Sequence, residues 1–85
     1  MAAIVLFTDR DFQGGSGTFT SSVPNLSNFN LNDVVSSFRI LDGQWEFYRD
    51  TDFQVSYGVV LGPGDYHWVE DVGIPNDALS SLRLV

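Results

Sequence analysis

At 85 residues the chain has room for one domain, and burial of about 63% of its unfolded surface allows a single modest core. With 44% apolar, 14% aromatic and 18% charged residues, the composition is that of a packed chain rather than a disordered one. Eleven acids against four arginines leave a net charge of −7, which disfavours nucleic acid and anionic membrane as partners and favours cations.

In chain order, strands are expected over residues 4–7 (IVLF), 17–20 (GTFT), 36–41 (SSFRIL), 44–48 (QWEFY), 57–61 (YGVVL) and 80–85 (SSLRLV). β-Branched and aromatic residues fill these runs, and Gly, Asn, Asp, Ser and Pro punctuate between them. Phe38 and Ile40 point to one side of their run and Arg39 to the other, a pattern that Leu82, Arg83 and Leu84 repeat, as half-buried strands require. The segments 22–31 and 62–75 are too rich in Pro, Asn and Gly for long helices and read as loops with at most a helical turn. The GPGD stretch at 62–65 reads as a turn.

The chain carries an internal repeat. NDVVSSFRIL at 32–41 returns 44 residues later as NDALSSLRLV, with the Asn-Asp pair, the Ser-Ser pair and the arginine unchanged. Upstream of each lies an aromatic hairpin, FTDRDFQG with Phe7, Phe12 and Gly14, then YRDTDFQV with Tyr48 and Phe53. One copy could not cover its own apolar face, so the two are expected to form an all-β sandwich of two packed antiparallel sheets, about eight strands on the Greek-key pattern with minimal helix. The domain is expected to span 1–85, with one motif over 1–42 and the second over 43–85.

An aromatic, four residues, a second aromatic, one residue and Gly, followed about twenty residues on by N/D-N/D-x-x-S/T-S, resembles the signature of the microbial βγ-crystallins. Both later motifs match in full: Asn32, Asp33, Ser36, Ser37 and Asn76, Asp77, Ser80, Ser81. Val55 departs from the pattern, standing where the first hairpin has Gly14. A β-branched residue is strained at positive φ, so the second hairpin is expected to differ in detail.

The resemblance implies two Ca²⁺ ions per domain, at paired sites completed by opposite copies. One site would use Asp33 with Ser80 and the other Asp77 with Ser36, with carbonyls of Val34 or Ala78. Further carbonyls would come from Thr8 and Arg49, and Asn32 and Asn76 would orient the loops. Ca²⁺ takes six to eight oxygens at about 2.3–2.6 Å, and N-D-x-x-S-S offers carboxylate, amide and hydroxyl oxygens within six residues. With about one carboxylate per ion, affinity is expected to be roughly micromolar to millimolar. Ser37 and Ser81 would instead bond back to the hairpins.

Other features carry less. His67 lacks a nucleophile turn, nothing brings Glu46 and Glu70 together as an acid/base pair, and with a single histidine and no cysteine no zinc set is present, so no enzymatic activity is expected. Trp45 belongs inside, Tyr57 is read as core packing, and Tyr66 by resemblance ties a Greek-key corner. Trp68 is the aromatic to examine for exposure beside a sugar- or protein-binding face.

No signal peptide and no run of about 18 apolar residues is present in these 85 residues. The expected function is a calcium-stabilised module, monomeric or a weak homodimer, compatible with a domain of a secreted or extracellular bacterial protein. The alternatives are a calcium-independent structural protein and a carbohydrate or protein recognition module.

Overall fold

The structure, a computed structural model, describes residues 2–76 and 79–85. Its strands are β1 (Ala3–Asp9), β2 (Gln13–Phe19), β3 (Ser37–Asp42), β4 (Trp45–Asp50), β5 (Gln54–Leu61), β6 (Gly64–Tyr66) and β7 (Ser81–Leu84). They form two antiparallel sheets, ordered β2-β1-β3-β6 and β5-β4-β7. An isolated bridge from Val23 to Leu82 lies against β7, where a fourth strand of the second sheet would run.

The third segment of each Greek key therefore pairs with the other half. Val23, from the first half, lies on β7, and β6, from the second half, lies on β3. The described residues form seven strands and a bridge, in keeping with the eight or so expected, and Pro24 after Val23 can donate no ladder hydrogen bond to lengthen the bridge. One reading is corrected. Gly64 and Asp65, expected within a turn, open β6 and pair with Ile40 and Arg39.

Alternation builds the core. Ile4 and Leu6 of β1, Phe38 and Ile40 of β3, Trp45 and Phe47 of β4, and Leu82 of β7 are buried, while Arg39 and Arg83 lie on the outer faces. Phe38 and Phe47 meet between the sheets with ring centroids 4.9 Å apart. Each long loop contains a short 3-10 turn, Leu26–Phe29 and Val69–Val72, which sends a fully buried Leu26 or Val69 into this core. The Tyr66 hydroxyl donates to the Gly62 carbonyl at 2.7 Å and ties the turn before β6.

The two hairpins share one backbone. Asp11, Phe12 and Gly14 have φ of 56°, 62° and 80°, and Asp52, Phe53 and Val55 have 57°, 59° and 56°. Both aromatic pairs are edge-on at 5.6 Å, Phe7 with Phe12 and Tyr48 with Phe53. The expected divergence of the second hairpin is thus corrected, since Val55 accepts the left-handed conformation. Local sterics explain how. A Cβ on Gly14 would stand 2.3 Å from Thr8 Oγ1, whereas the second half has Arg49 in the place of Thr8, its guanidinium turned to Asp50 at 3.3 Å.

On the outer face of the second sheet, Glu46 gathers three donors. The Tyr48 hydroxyl donates to Oε1, Ser56 Oγ donates to Oε2 at 3.0 Å, and Arg83 Nη2 donates to Oε1 at 3.1 Å. These bonds, that of Tyr48 foremost, hold the Glu46 carboxyl below the usual glutamate range. A carboxyl with a depressed folded-state pKa stabilises the fold above its unfolded value and loses that contribution as pH falls through the folded one. Urea midpoints measured from about pH 7 down to pH 3 should therefore fall on the acid side, and Glu46→Gln should flatten that limb. An unchanged acid limb in the variant would refute the linkage.

Candidate metal centre

Asn32-Asp33 and, in the second copy, Asn76 lie in loops that lead to β3 and β7, and the backbone aligns these loops with the opposite half. Asp33 N–H donates to Leu79 O at 3.0 Å, Leu26 N–H to Ser80 O at 2.9 Å, and Val69 N–H to Ser36 O at 2.9 Å. The hairpin tips are crossed in the same way, Asp11 N–H to His67 O at 3.0 Å and Asp52 N–H to Pro24 O at 2.7 Å. Each half thus supplies the backbone partners that hold the other half's loops.

The side chains follow. Ser80 Oγ donates to Asp33 Oδ1 at 3.3 Å, across 47 residues of chain. Ser36 Oγ donates to Asn76 Oδ1 at 2.7 Å, across 40 residues. The first contact brings together Asp33 and Ser80, the residues expected to share a site. The second joins Ser36 to Asn76, which had been expected only to orient its loop. Asp77 and Ala78 lie outside the described residues.

Asn32 Nδ2 donates to Asp33 Oδ2 at 3.3 Å, while its buried Oδ1 has no hydrogen-bond partner. Asp33 itself has φ of 57°, a left-handed conformation that Asp tolerates, and its side chain is exposed, as is that of Val34. Ser36 N–H donates to Phe7 O at 2.9 Å and Ser80 N–H to Tyr48 O at 3.1 Å. Thr8 therefore follows the residue bonded to Ser36, and Arg49 the residue bonded to Ser80.

The neighbouring serines have a separate role. Ser37 Oγ donates to Asp9 O at 2.6 Å and accepts from Phe12 N–H at 3.0 Å. Ser81 Oγ donates to Asp50 O at 2.6 Å and accepts from Phe53 N–H at 3.2 Å. Both serines are fully buried and lock the hairpins from below.

As a donor set, Asp33, Asn32, Asn76, Ser36 and Ser80 offer carboxylate, amide and hydroxyl oxygens, the chemistry of a hard cation. Among the described residues no three His, Asp or Glu side chains cluster. The oxygens here come mostly from amides and hydroxyls. The unpartnered Asn32 Oδ1 beside Asp33 and the paired oxygens at 2.7 and 3.3 Å fit an oxygen-liganded ion.

The two clusters have different surroundings. Arg49 and Asp33 both act on Tyr57, whose hydroxyl pKa is raised first by burial, then lowered by the Arg49 guanidinium and raised again by Asp33 and Asp50. Arg49 follows Tyr48, whose carbonyl accepts from Ser80 N–H, and its guanidinium is paired with Asp50 at 3.3 Å. At the other cluster Glu70 Oε2 accepts from Asn76 N–H at 3.1 Å. Sequence reasoning gave Glu70 no part in a site. Comparing the halves would have flagged it, because Ser27 holds the equivalent place in the first 3-10 turn.

His67 is exposed, with Nδ1 3.6 Å from Asp11 Oδ1 and its ring against Phe12. Glu46 is held by Tyr48, Ser56 and Arg83, and Glu70 by Asn76. Trp45 is fully buried. Trp68 is half-buried and covered by Arg10, whose guanidinium lies 4.4 Å from the indole centroid. Among the described residues no helix is long and apolar enough to cross a membrane.

A family model described as Beta/Gamma crystallin matches residues 3–85. The epidermal differentiation-specific protein of Cynops pyrrhogaster is 36% identical over 85 residues, covering 100% of this chain but 24% of that protein, so the chain spans about a quarter of that relative. The crystal structure of a betagamma-crystallin from an Archaea superposes with a TM-score of 0.91 at 35% identity, covering 99% of this chain and 98% of that one. A transition-metal-ion-binding betagamma-crystallin from Methanosaeta thermophila superposes with a TM-score of 0.85 at 29% identity, covering 95% and 98%.

Proposed function

Because the chain belongs to the beta/gamma crystallin family, we propose that it is a non-enzymatic calcium-binding module, a single domain of two Greek-key motifs, 1–42 and 43–85, whose paired N-D-x-x-S-S segments hold two Ca²⁺ ions. The observation that carries this reading is the crossing of the motifs: Ser80 reaches Asp33 and Ser36 reaches Asn76, so oxygens from both halves converge at each place.

One site would draw on Asp33, Ser80, Asn32 and backbone carbonyls near Val34 and Arg49. The other would draw on Ser36, Asn76, Asp77 and backbone carbonyls near Ala78 and Thr8. A bound calcium ion supplies a double positive charge that offsets the −7 balance of the chain and crosslinks the two halves. The residues themselves do the positioning. Backbone bonds from Phe7 and Tyr48 fix the serines, and the opposite motif orients their hydroxyls.

The Methanosaeta thermophila neighbour is described as binding transition metal ions. Here the oxygen donors and the absence of cysteine favour calcium over a softer metal. Calorimetric titration of chelator-stripped protein is expected to give two calcium ions per chain. At a free concentration tenfold above Kd, each ion should stabilise the fold by about 1.4 kcal/mol. Equal melting temperatures in calcium and in chelator would overturn the proposal.

One observation favours a calcium-independent structural protein as the second reading. The crossed contacts of Ser36 and Ser80 already join the halves through the protein's own atoms. That reading predicts high stability in chelator and no heat of calcium binding.

A further inference from the structure

We propose that the two cation sites are unequal and that Glu70 makes the one at Asn76 and Ser36 the stronger. The inference rests on the calcium reading above and deepens it by naming the residue that sets the difference.

A chain of hydrogen bonds runs through the second motif. Glu70 Oε2 accepts from Asn76 N–H at 3.1 Å, and Asn76 Oδ1 accepts from Ser36 Oγ at 2.7 Å. The 3-10 turn Val69–Val72 carries Glu70. It ends on Gly73 at φ 88°, whose N–H returns to Glu70 O and Val69 O. Buried Val69 and Ile74 anchor both sides of this turn, and Ile74 N–H donates to Val69 O at 3.1 Å. The carboxylate thus fixes the backbone of the residue whose amide holds Ser36.

Among the described residues the first motif shows no such brace. Ser27 occupies the place of Glu70, and its N–H and Oγ are taken by Asn25 Oδ1 within the turn, at 3.0 and 2.5 Å. Ser80 bonds to Asp33 rather than to Asn32, whose buried Oδ1 is left without a partner. Loop ordering that precedes binding need not be supplied by the ion, so the braced loop is the better prepared of the two.

Charge acts in the same direction. Glu70 is exposed and lines an open depression with Gly73, Ile74 and Pro75, leaving its negative charge beside the Asn76 loop. Across the molecule the corresponding hairpin residue is Arg49 instead of Thr8. Its guanidinium is paired with Asp50 at 3.3 Å, so this position gives the first motif no counterpart to the Glu70 charge.

The test uses isotope-labelled protein stripped of metal, titrated with calcium chloride and read by backbone amide NMR, with hydrogen exchange recorded on the calcium-free forms. Glu70→Ala removes acceptor and charge, Glu70→Gln keeps an acceptor, and Asp71→Asn removes an equal charge one residue away. Glu70→Ala is expected to speed exchange at Asn76 by about tenfold and Glu70→Gln by much less. Both Glu70 variants should weaken calcium binding sensed at Asn76 and Ser36 by about three- to tenfold. Binding sensed at Asp33 and Ser80 should stay within about twofold, as should both sites in Asp71→Asn.

Equal weakening of both sites, an Asn76 exchange rate indifferent to Glu70→Ala, or an Asp71→Asn effect matching that of Glu70→Gln would each overturn the proposal. A parent protein that takes up no calcium would overturn the calcium reading and with it the inequality. The exchange comparison would still report whether Glu70 braces the loop, so the two failures are distinguishable.

Discussion

Gly14→Val is expected to destabilise the protein by about 3 kcal/mol, while Val55→Gly at the matching position stabilises it by about 1 kcal/mol. Both positions hold positive φ, 80° and 56°, so the left-handed cost of about 1–2 kcal/mol is incurred wherever a side chain stands. At position 14 a second cost is added. A Cβ would sit 2.3 Å from Thr8 Oγ1 and 2.9 Å from Asp9 Oδ2, and Thr8 Oγ1 is held in place by the Gly15 N–H at 3.0 Å.

At position 55 glycine relieves the strain and loses little packing, because Val55 is 52% exposed, although the looser unfolded chain takes back part of the gain. For a domain of this size each kcal/mol moves the melting temperature by about 4–8 °C, so scanning calorimetry resolves both signs. Thr8→Ala combined with Gly14→Val should recover the Thr8 share of the steric loss and leave the Asp9 contact and the conformational part. If Val55→Gly proved the more damaging of the two substitutions, the strain argument would be wrong.

Ser37→Ala and Ser81→Ala come next, each costing about 2 kcal/mol. Each hydroxyl satisfies two backbone groups at once, the carbonyl of Asp9 or Asp50 and the N–H of Phe12 or Phe53. Alanine leaves both without a partner beneath a folded hairpin, and each serine is wholly buried, so water does not readily replace it. Denaturant midpoints should fall in both variants, and amide exchange should accelerate selectively at Phe12 or at Phe53. In the calcium-free protein Ser36→Ala and Ser80→Ala should cost less, since each hydroxyl there donates to a side chain, of Asn76 or Asp33. Equal losses in all four variants would show that the two serine positions do not divide the work in this way.

Much of this architecture is legible along the chain. The period of two at Phe38, Arg39 and Ile40, and again at Leu82 and Arg83, reflects a local rule: successive residues of an extended backbone face opposite ways. The hairpins are legible for the same reason, their aromatic spacing and turn residues lying within eight positions. Val55 shows the limit of such rules. Its residue type argues against positive φ, yet it adopts the conformation of Gly14, because the surrounding pairing and the Tyr48–Phe53 contact outweigh a local preference of about 1–2 kcal/mol.

The candidate site divides in the same way. The oxygen-rich motifs and the crossing of Asp33 with Ser80 follow from residue types and the resemblance they carry. The choice of Asn76 by Ser36, the brace from Glu70 and the gathering of Tyr48, Ser56 and Arg83 around Glu46 do not.

Taken by itself, the amino-acid order determined that this is an all-β chain with two similar halves and hard oxygen donors, because strand periodicity, turn chemistry and ligand type are properties of short segments. Only the tertiary structure decided that β6 crosses to β3 and Val23 to β7, and which oxygen each serine meets. Partners some 40 residues apart are chosen by sheet register and loop path, and these arise from packing the whole core at once.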